Sequence, residues 1–235
     1  MALFVAVDTP LLSAASQLAA TLHHPPLGLK LGLEFFSASG ADGVRAVRAS
    51  APSSPLFLDL KLHDIPNTVA GAVRALLPLG AAYLTVHAAG GHAMMQAAVR
   101  AAAEAGEGRP RVLAVTVLTS LDEEDLQAVG VRATAEEQVV RLAKLAKAAG
   151  VDGVVCSAKE IQPIREALGP EFILMVPGIR PADSEAGDQK RVVTPKVAME
   201  AGASCLVVGR PITQSDDPLK AALAILNEMG VGSGT

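Results

Sequence analysis

Leu56-Phe57-Leu58-Asp59-Leu60-Lys61, running on into Leu62-His63-Asp64-Ile65-Pro66-Asn67-Thr68, is an apolar strand that carries an acid and a base and ends in a helix start. Side chains two apart on a strand share a face, so Asp59 and Lys61 point one way while Leu60 points into the opposite layer. Such charges are costly in an apolar strand unless they pair and are hydrogen-bonded. Taken alone, the segment also reads as a structural ion pair plugging a barrel, with Asp64 capping the helix that opens at Pro66.

Outward from this strand, similar short runs recur at Leu3–Val7, Gly28–Leu31, Tyr83–His87, Val112–Leu118, Gly153–Cys156, Ile173–Val176 and Cys205–Val208. Each is followed by a turn and a longer Ala- and Leu-rich stretch with helical spacing. That alternation predicts a parallel sheet, and about eight such units close a single-domain α/β barrel of the (β/α)8 TIM type. The barrel is expected over residues 1–230, with 231–235 a frayed tail. Helix starts are marked independently: Ser157 to Glu160 has the capping-box pattern, and Thr194-Pro195 and Asp217-Pro218 each set a cap before a first-turn proline. Val139, Leu142, Ala146 and Ala149 form an apolar stripe opposite Glu136, Glu137, Arg141 and Lys144. Glu34-Phe35-Phe36 begins the second helix. A dinucleotide-binding open sheet would show G-x-G-x-x-G after its first strand, where this chain has Asp8-Thr9-Pro10.

A length of 235 residues with 50% hydrophobic content suits one large core. The net charge of -4, the 3% aromatic content and the absence of Trp give neither the basic surface nor the stacking platforms of a nucleic-acid binder. The apolar start, Leu3 to Val7, has no basic residues before it and stops at Asp8, too short for a signal peptide or a membrane span, so a cytoplasmic protein is expected. Cys156 and Cys205 lack Cys or His neighbours at ligand spacing and read as small buried hydrophobes rather than zinc ligands or a disulfide. His23, His24 and His92 read as surface residues, and His87 as a rim histidine outside the catalytic set.

Function in such a barrel gathers at the carboxyl ends of the strands. There the chain places Asp8, Lys30, Asp59, Lys61, His87, Thr119-Ser120, Pro177-Gly178-Ile179-Arg180 and Gly209-Arg210. Two acids and two lysines at one rim exceed what stability requires. A glycine after the last strand lets backbone N–H groups approach a phosphate.

Asp59-x-Lys61-x-x-Asp64-Ile65-Pro66-Asn67-Thr68 resembles the signature of the orotidine 5′-phosphate decarboxylase family. Val5-Ala6-Val7-Asp8, Leu29-Lys30-Leu31-Gly32, Thr85-Val86-His87-Ala88, Val117-Leu118-Thr119-Ser120, Val176-Pro177-Gly178-Ile179-Arg180 and Val208-Gly209-Arg210-Pro211-Ile212 match it in order. The resemblance implies decarboxylation of orotidine 5′-monophosphate to uridine 5′-monophosphate, without metal or cofactor. It also implies a homodimer with shared active sites. Lys61, Asp59, Asp64 and Lys30 would be catalytic. Asp8 and Lys30 would bind the ribose hydroxyls, Thr119 and Ser120 would face the pyrimidine, and Arg180, Gln189, Gly209 and Arg210 would take the phosphate. Ile65, Thr68 and Pro177 would complete the substrate contacts. Two other readings stay open: a magnesium-dependent sugar-phosphate decarboxylase or aldolase sharing the D-x-K-x-x-D core, and a barrel that binds a phosphonucleotide without turnover. Lys30 counts against the first, whose members resemble one another in an acidic metal ligand on the second strand.

Overall fold

The structure is a computed structural model that describes residues 2–181 and 193–230. Eight parallel strands form a closed barrel in sequence order. They are β1 (Ala2–Ala6), β2 (Leu27–Gly32), β3 (Leu56–Leu62), β4 (Tyr83–His87), β5 (Arg111–Val115), β6 (Gly153–Val155), β7 (Ile173–Pro177) and β8 (Cys205–Val208). The connecting helices are α1 (Leu12–Thr21), α2 (Leu33–Ser50), α3 (Pro66–Leu76), α4 (Gly91–Ala103), α5 (Glu123–Ala128), α6 (Ala135–Ala148), α7 (Ile161–Leu168), α8 (Pro195–Glu200), α9 (Arg210–Thr213) and α10 (Pro218–Glu228). Among the described residues, no helix is long and apolar enough to cross a membrane. The expected tail at 231–235 lies outside the described residues.

The period of two along each strand sorts its residues into two cores. Leu3, Val5, Leu29, Leu31, Leu58, Leu84 and Val86 face outward and pack with buried helix residues such as Phe35, Val44, Val73, Met94 and Met95. Phe4, Phe57, Leu113, Met175 and Val207 face inward and fill the barrel. Phe4 meets Tyr83 edge-on at 5.4 Å between centroids and Phe57 at 5.7 Å. Such pairs add about 0.5–1.5 kcal/mol beyond the area they bury. Above this packed floor a cavity opens at the strand ends, where the polar residues stand.

Local signals behave as their chemistry requires. Thr134 and Glu137 cap α6 reciprocally, with the Glu137 carboxylate accepting the Thr134 N–H at 3.0 Å. The apolar stripe of Val139, Leu142 and Ala146 is buried beneath it. Asp217 and Thr194 accept from Lys220 and Val197 N–H groups as expected of caps. Asp64 does not cap α3: the N-cap position is Ile65, without a side-chain bond, and Pro66 opens the helix. The fifth strand is shorter than its apolar run implies. It ends at Val115, and the Thr116 hydroxyl donates to the Val155 carbonyl at 3.1 Å. The chain then turns, and Val117 and Leu118 become cavity wall instead of strand.

Gly28 lies opposite Phe4 across the β1–β2 pairing, and a Cβ there would overlap the Phe4 ring. Phe57 and Tyr83 hold that ring in place, so it cannot swing aside. Gly28→Ala is expected to lower the unfolding free energy by about 1–3 kcal/mol. In a Phe4→Leu background the same change should cost less than about half as much, a coupling that urea titration of the four proteins measures. Equal costs in both backgrounds would show that the ring is not the obstacle.

Candidate active site

The third strand departs from strict alternation where its charges stand. Leu58 faces Leu84 and Leu62 faces Val86, so β3 advances four residues while β4 advances two. Asp59, Leu60 and Lys61 crowd opposite Thr85. Lys61 takes up the slack at φ 50, in the left-handed region. That conformation costs a residue with a side chain about 1–3 kcal/mol and persists only where its surroundings impose it. The fully buried Thr85 does so: its hydroxyl accepts the Lys61 N–H at 2.8 Å and donates to Asp59 Oδ1 at 3.1 Å. Asp59 and Lys61 thus share one face, but across a bulge.

Four charges alternate in sign along one side of the mouth. Lys30 Nζ lies 3.0 Å from Asp8 Oδ1 and 3.8 Å from Asp59 Oδ2, and Lys61 Nζ lies 2.8 Å from the same Asp59 oxygen. Lys30 is buried, whereas the Asp8 side chain is 58% exposed. Burial of an ammonium is tolerable because carboxylates flank it. Gly32 makes the space: a Cβ there would stand 3.2 Å from Lys30 Nζ.

These groups line a cavity of about 350 Å³. In a closed ring of eight strands, β3 and β7 lie on opposite sides, so the residues after β7 face Asp59 and Lys61 across the mouth, while β8 closes the ring against β1 and puts the residues after it beside the Asp8 end of the charged row. Gly178, at φ 78, turns the chain after β7 toward Ile179 and Arg180. Arg210 follows Gly209 at the end of β8. Between the two sides stand the apolar Val115, Val117, Leu118 and Val155. The cavity is therefore lined by alternating charge along β1 to β3, a hydrocarbon surface at β5 and β6, and arginines after β7 and β8.

Of the residues singled out from the sequence, Asp8, Lys30, Asp59, Lys61, Thr119, Pro177, Arg180, Gly209 and Arg210 line this cavity. Ser120 is exposed and lies outside the lining. Asp64, Ile65 and Thr68 are also exposed and outside it, on the turn after β3 and the first turn of α3. Asp64 Oδ1 accepts the Ile65 N–H at 2.6 Å, and Ile65 is 67% exposed. Gln189 lies outside the described residues. Thr85 and Gly32 escaped sequence reasoning as site residues. The signal for Thr85 was a lone hydroxyl at an inward position of an apolar strand. Gly32 stood in the matching stretch Leu29-Lys30-Leu31-Gly32, but nothing there disclosed its role, which is the volume it leaves empty. Cys156 is buried at the cavity wall, and burial pushes its thiol well above the usual range.

His87 stands at the rim, stacked on His63 with centroids 5.3 Å apart. Its Nδ1 accepts the Ala89 N–H at 3.2 Å, which suits a neutral ring. Burial lowers its pKa below the ordinary 6.5, and the nearby His63 and Lys61 lower it further.

A (β/α)8 barrel with acid, base and guanidinium groups gathered at the carboxyl ends of its strands has the form of a barrel enzyme. The family model for the "Orotidine 5'-phosphate decarboxylase / HUMPS family" matches residues 1–225. The orotidine 5′-phosphate decarboxylase of Rhodospirillum rubrum is 55% identical over 230 residues, spanning 96% of this chain and 93% of that relative. That of Sphingopyxis alaskensis is 56% identical over 223 residues, spanning 95% and 96%. Among solved structures, orotidine 5′-phosphate decarboxylase from Lactobacillus acidophilus superposes with a TM-score of 0.86 at 38% identity, covering 97% of this chain and 98% of that one. This chain belongs to the orotidine 5′-phosphate decarboxylase / HUMPS family.

The His87 environment gives a pH signature with a defined sign. Its lowered pKa means that the unfolded chain binds a proton more readily than the folded one. The associated stability is therefore fully present above the ordinary pKa of 6.5 and is lost as pH falls through the lowered folded value. The urea midpoint, followed from about pH 8 to about pH 5, is expected to fall less steeply in His87→Gln than in the parent. Identical slopes would show that His87 does not contribute.

Proposed function

We propose that this barrel decarboxylates orotidine 5′-monophosphate to uridine 5′-monophosphate and carbon dioxide, in the cytoplasm and as a homodimer. The observation that carries the reading is the alternating Asp8, Lys30, Asp59, Lys61 chain lining one cavity together with Arg180 and Arg210, in a member of this family. The relatives named orotidine 5′-phosphate decarboxylase match over nearly their whole length. Two free, buried cysteines suit a reducing compartment.

The substrate spans the cavity with its phosphate at Arg180, Gln189, Gly209 and Arg210, and its ribose hydroxyls at Asp8 and Lys30. The pyrimidine lies toward Thr119 and Ser120, with Pro177 and the partner subunit's Ile65 and Thr68 completing the contacts. The C6–carboxylate bond breaks and its electron pair stays on C6 in an orbital that no ring carbonyl can delocalise. The protein must therefore supply the electrostatics. Lys61 Nζ stabilises the carbanion and gives its proton to C6, and water later restores that proton. Asp59 beside the substrate carboxylate opposes the ground state and relaxes as carbon dioxide leaves.

Magnitudes rank these effects. Two like charges ~4 Å apart at an effective dielectric of ~20 repel by about 4 kcal/mol, or roughly three powers of ten in rate. Large enzymatic accelerations require up to ~23 kcal/mol, so charge stress is a minor contribution. Carbanion stabilisation by Lys61, together with binding energy from the remote phosphate, supplies the larger part. The magnesium-dependent rival needs an acid on the second strand, where Lys30 instead lies between Asp8 and Asp59. Incubation with orotidine 5′-monophosphate and excess chelator is expected to leave turnover intact, read from loss of substrate. Activity that disappears with chelator and returns with magnesium would overturn the reading in favour of the rival.

The exposure of Asp64, Ile65 and Thr68 supports a shared site. Ile65 follows β3, and the exposed Leu33 and Leu11 follow β2 and β1, so three apolar side chains stand on adjoining sectors of the rim. Each site then combines Asp59 and Lys61 of one chain with the partner subunit's Asp64. Lys61→Ala and Asp64→Ala are each expected to be nearly inactive alone. A mixed dimer would hold one site lacking both groups and one lacking neither, so equal random mixing should restore about a quarter of the parent activity. If tagged subunits demonstrate exchange and activity does not rise, Asp64 serves its own chain.

A further inference from the structure

We propose that Thr85 is a positioning residue of this site, whose hydroxyl holds the Asp59 carboxylate and the Lys61 backbone in the arrangement that decarboxylation uses. The inference rests on the functional reading above and adds to it a residue that does not line the cavity. A hydroxyl has one proton to give and lone pairs to accept with. At Thr85 the proton goes to Asp59 Oδ1 at 3.1 Å, and a lone pair takes the Lys61 N–H at 2.8 Å. Donation to Oδ1 fixes the plane of the carboxylate and leaves Oδ2 to Lys61 Nζ at 2.8 Å, with Lys30 Nζ at 3.8 Å.

The acceptance is as consequential. Through the bulge β3 advances four residues for two of β4, so the Lys61 N–H has no regular ladder position opposite it. A buried N–H without a partner is costly, and the Thr85 oxygen satisfies it. That bond secures Lys61 in its left-handed conformation at φ 50, from which its side chain reaches Asp59. Strand formation does not explain a threonine here, because valine has the same branched shape and a comparable strand preference. Full burial does not explain it either, since an apolar strand would accept valine more readily. What valine lacks is the hydroxyl that joins the acid to the backbone of the base.

The test compares Thr85→Val, which removes the hydroxyl and keeps the shape, with Thr85→Ser, which keeps the hydroxyl. With orotidine 5′-monophosphate as substrate, Thr85→Val should lose about a hundredfold in kcat. Its KM should stay within about threefold, because the phosphate contacts across the cavity are untouched. Thr85→Ser should return kcat to within about fivefold of the parent. Amide hydrogen exchange at Lys61 should quicken about tenfold or more in Thr85→Val and recover in Thr85→Ser. Should Thr85→Val not fold, Thr85→Ala takes its place in every measurement. A kcat within about threefold of the parent in the hydroxyl-less variant, or a loss that serine does not rescue, overturns the inference. Unchanged exchange at Lys61 overturns it as well. If the parent itself does not turn over the nucleotide, the functional reading fails, and Lys61 exchange in the same variants still decides whether Thr85 holds the bulge.

Discussion

Asp59 must satisfy two ammonium groups and a hydroxyl at once, and the geometry of the mouth follows from that demand. Its side chain is 13% exposed, so little water remains to solvate the charge. An ion taken out of water costs several kcal/mol even after the surroundings relax, and breaking such a cluster by removing one member leaves a buried charge uncompensated. The partners therefore have to arrive from three strands. Lys30 comes from β2, Lys61 from further along β3 and Thr85 from β4. Asp59 is the point at which those three strands are held in one relation at their carboxyl ends.

Such a cluster is affordable only on a rigid base. Beneath it the barrel is filled by Phe4, Phe57 and Tyr83 in edge-on contact, and outside it the strands pack against buried helix residues. Close packing denies the strands room to drift, so the distances at the mouth stay short without support from the loops. The arginine wall is arranged differently. Arg180 follows the turn after β7 and Arg210 opens α9 after β8, both beyond the packed strands.

Much of this was legible in the residues. The strand and helix alternation led to the barrel because short, near-continuous apolar runs are told by their length from amphipathic helices of fourteen residues such as α6. Asp8, Lys30, Asp59 and Lys61 stood out because charge in an apolar run needs a reason. Thr85 did not stand out, since threonine is an ordinary strand former and its significance lies entirely in what faces it across β3. The end of β5 was missed for a related reason: the apolar run continues to Leu118, but the chain leaves the sheet at Thr116, and hydrophobicity does not distinguish a strand from a cavity wall.

The sequence by itself determined the order of elements, the shared face of Asp59 and Lys61 and the set of ionisable groups at the mouth, because each depends on spacing and residue type along a local stretch. Tertiary structure alone decided the bulge in β3, the left-handed backbone of Lys61 and the space that Gly32 leaves for Lys30. Each of these depends on residues distant in the chain competing for the same few ångströms, so it exists only once β2, β3 and β4 are side by side.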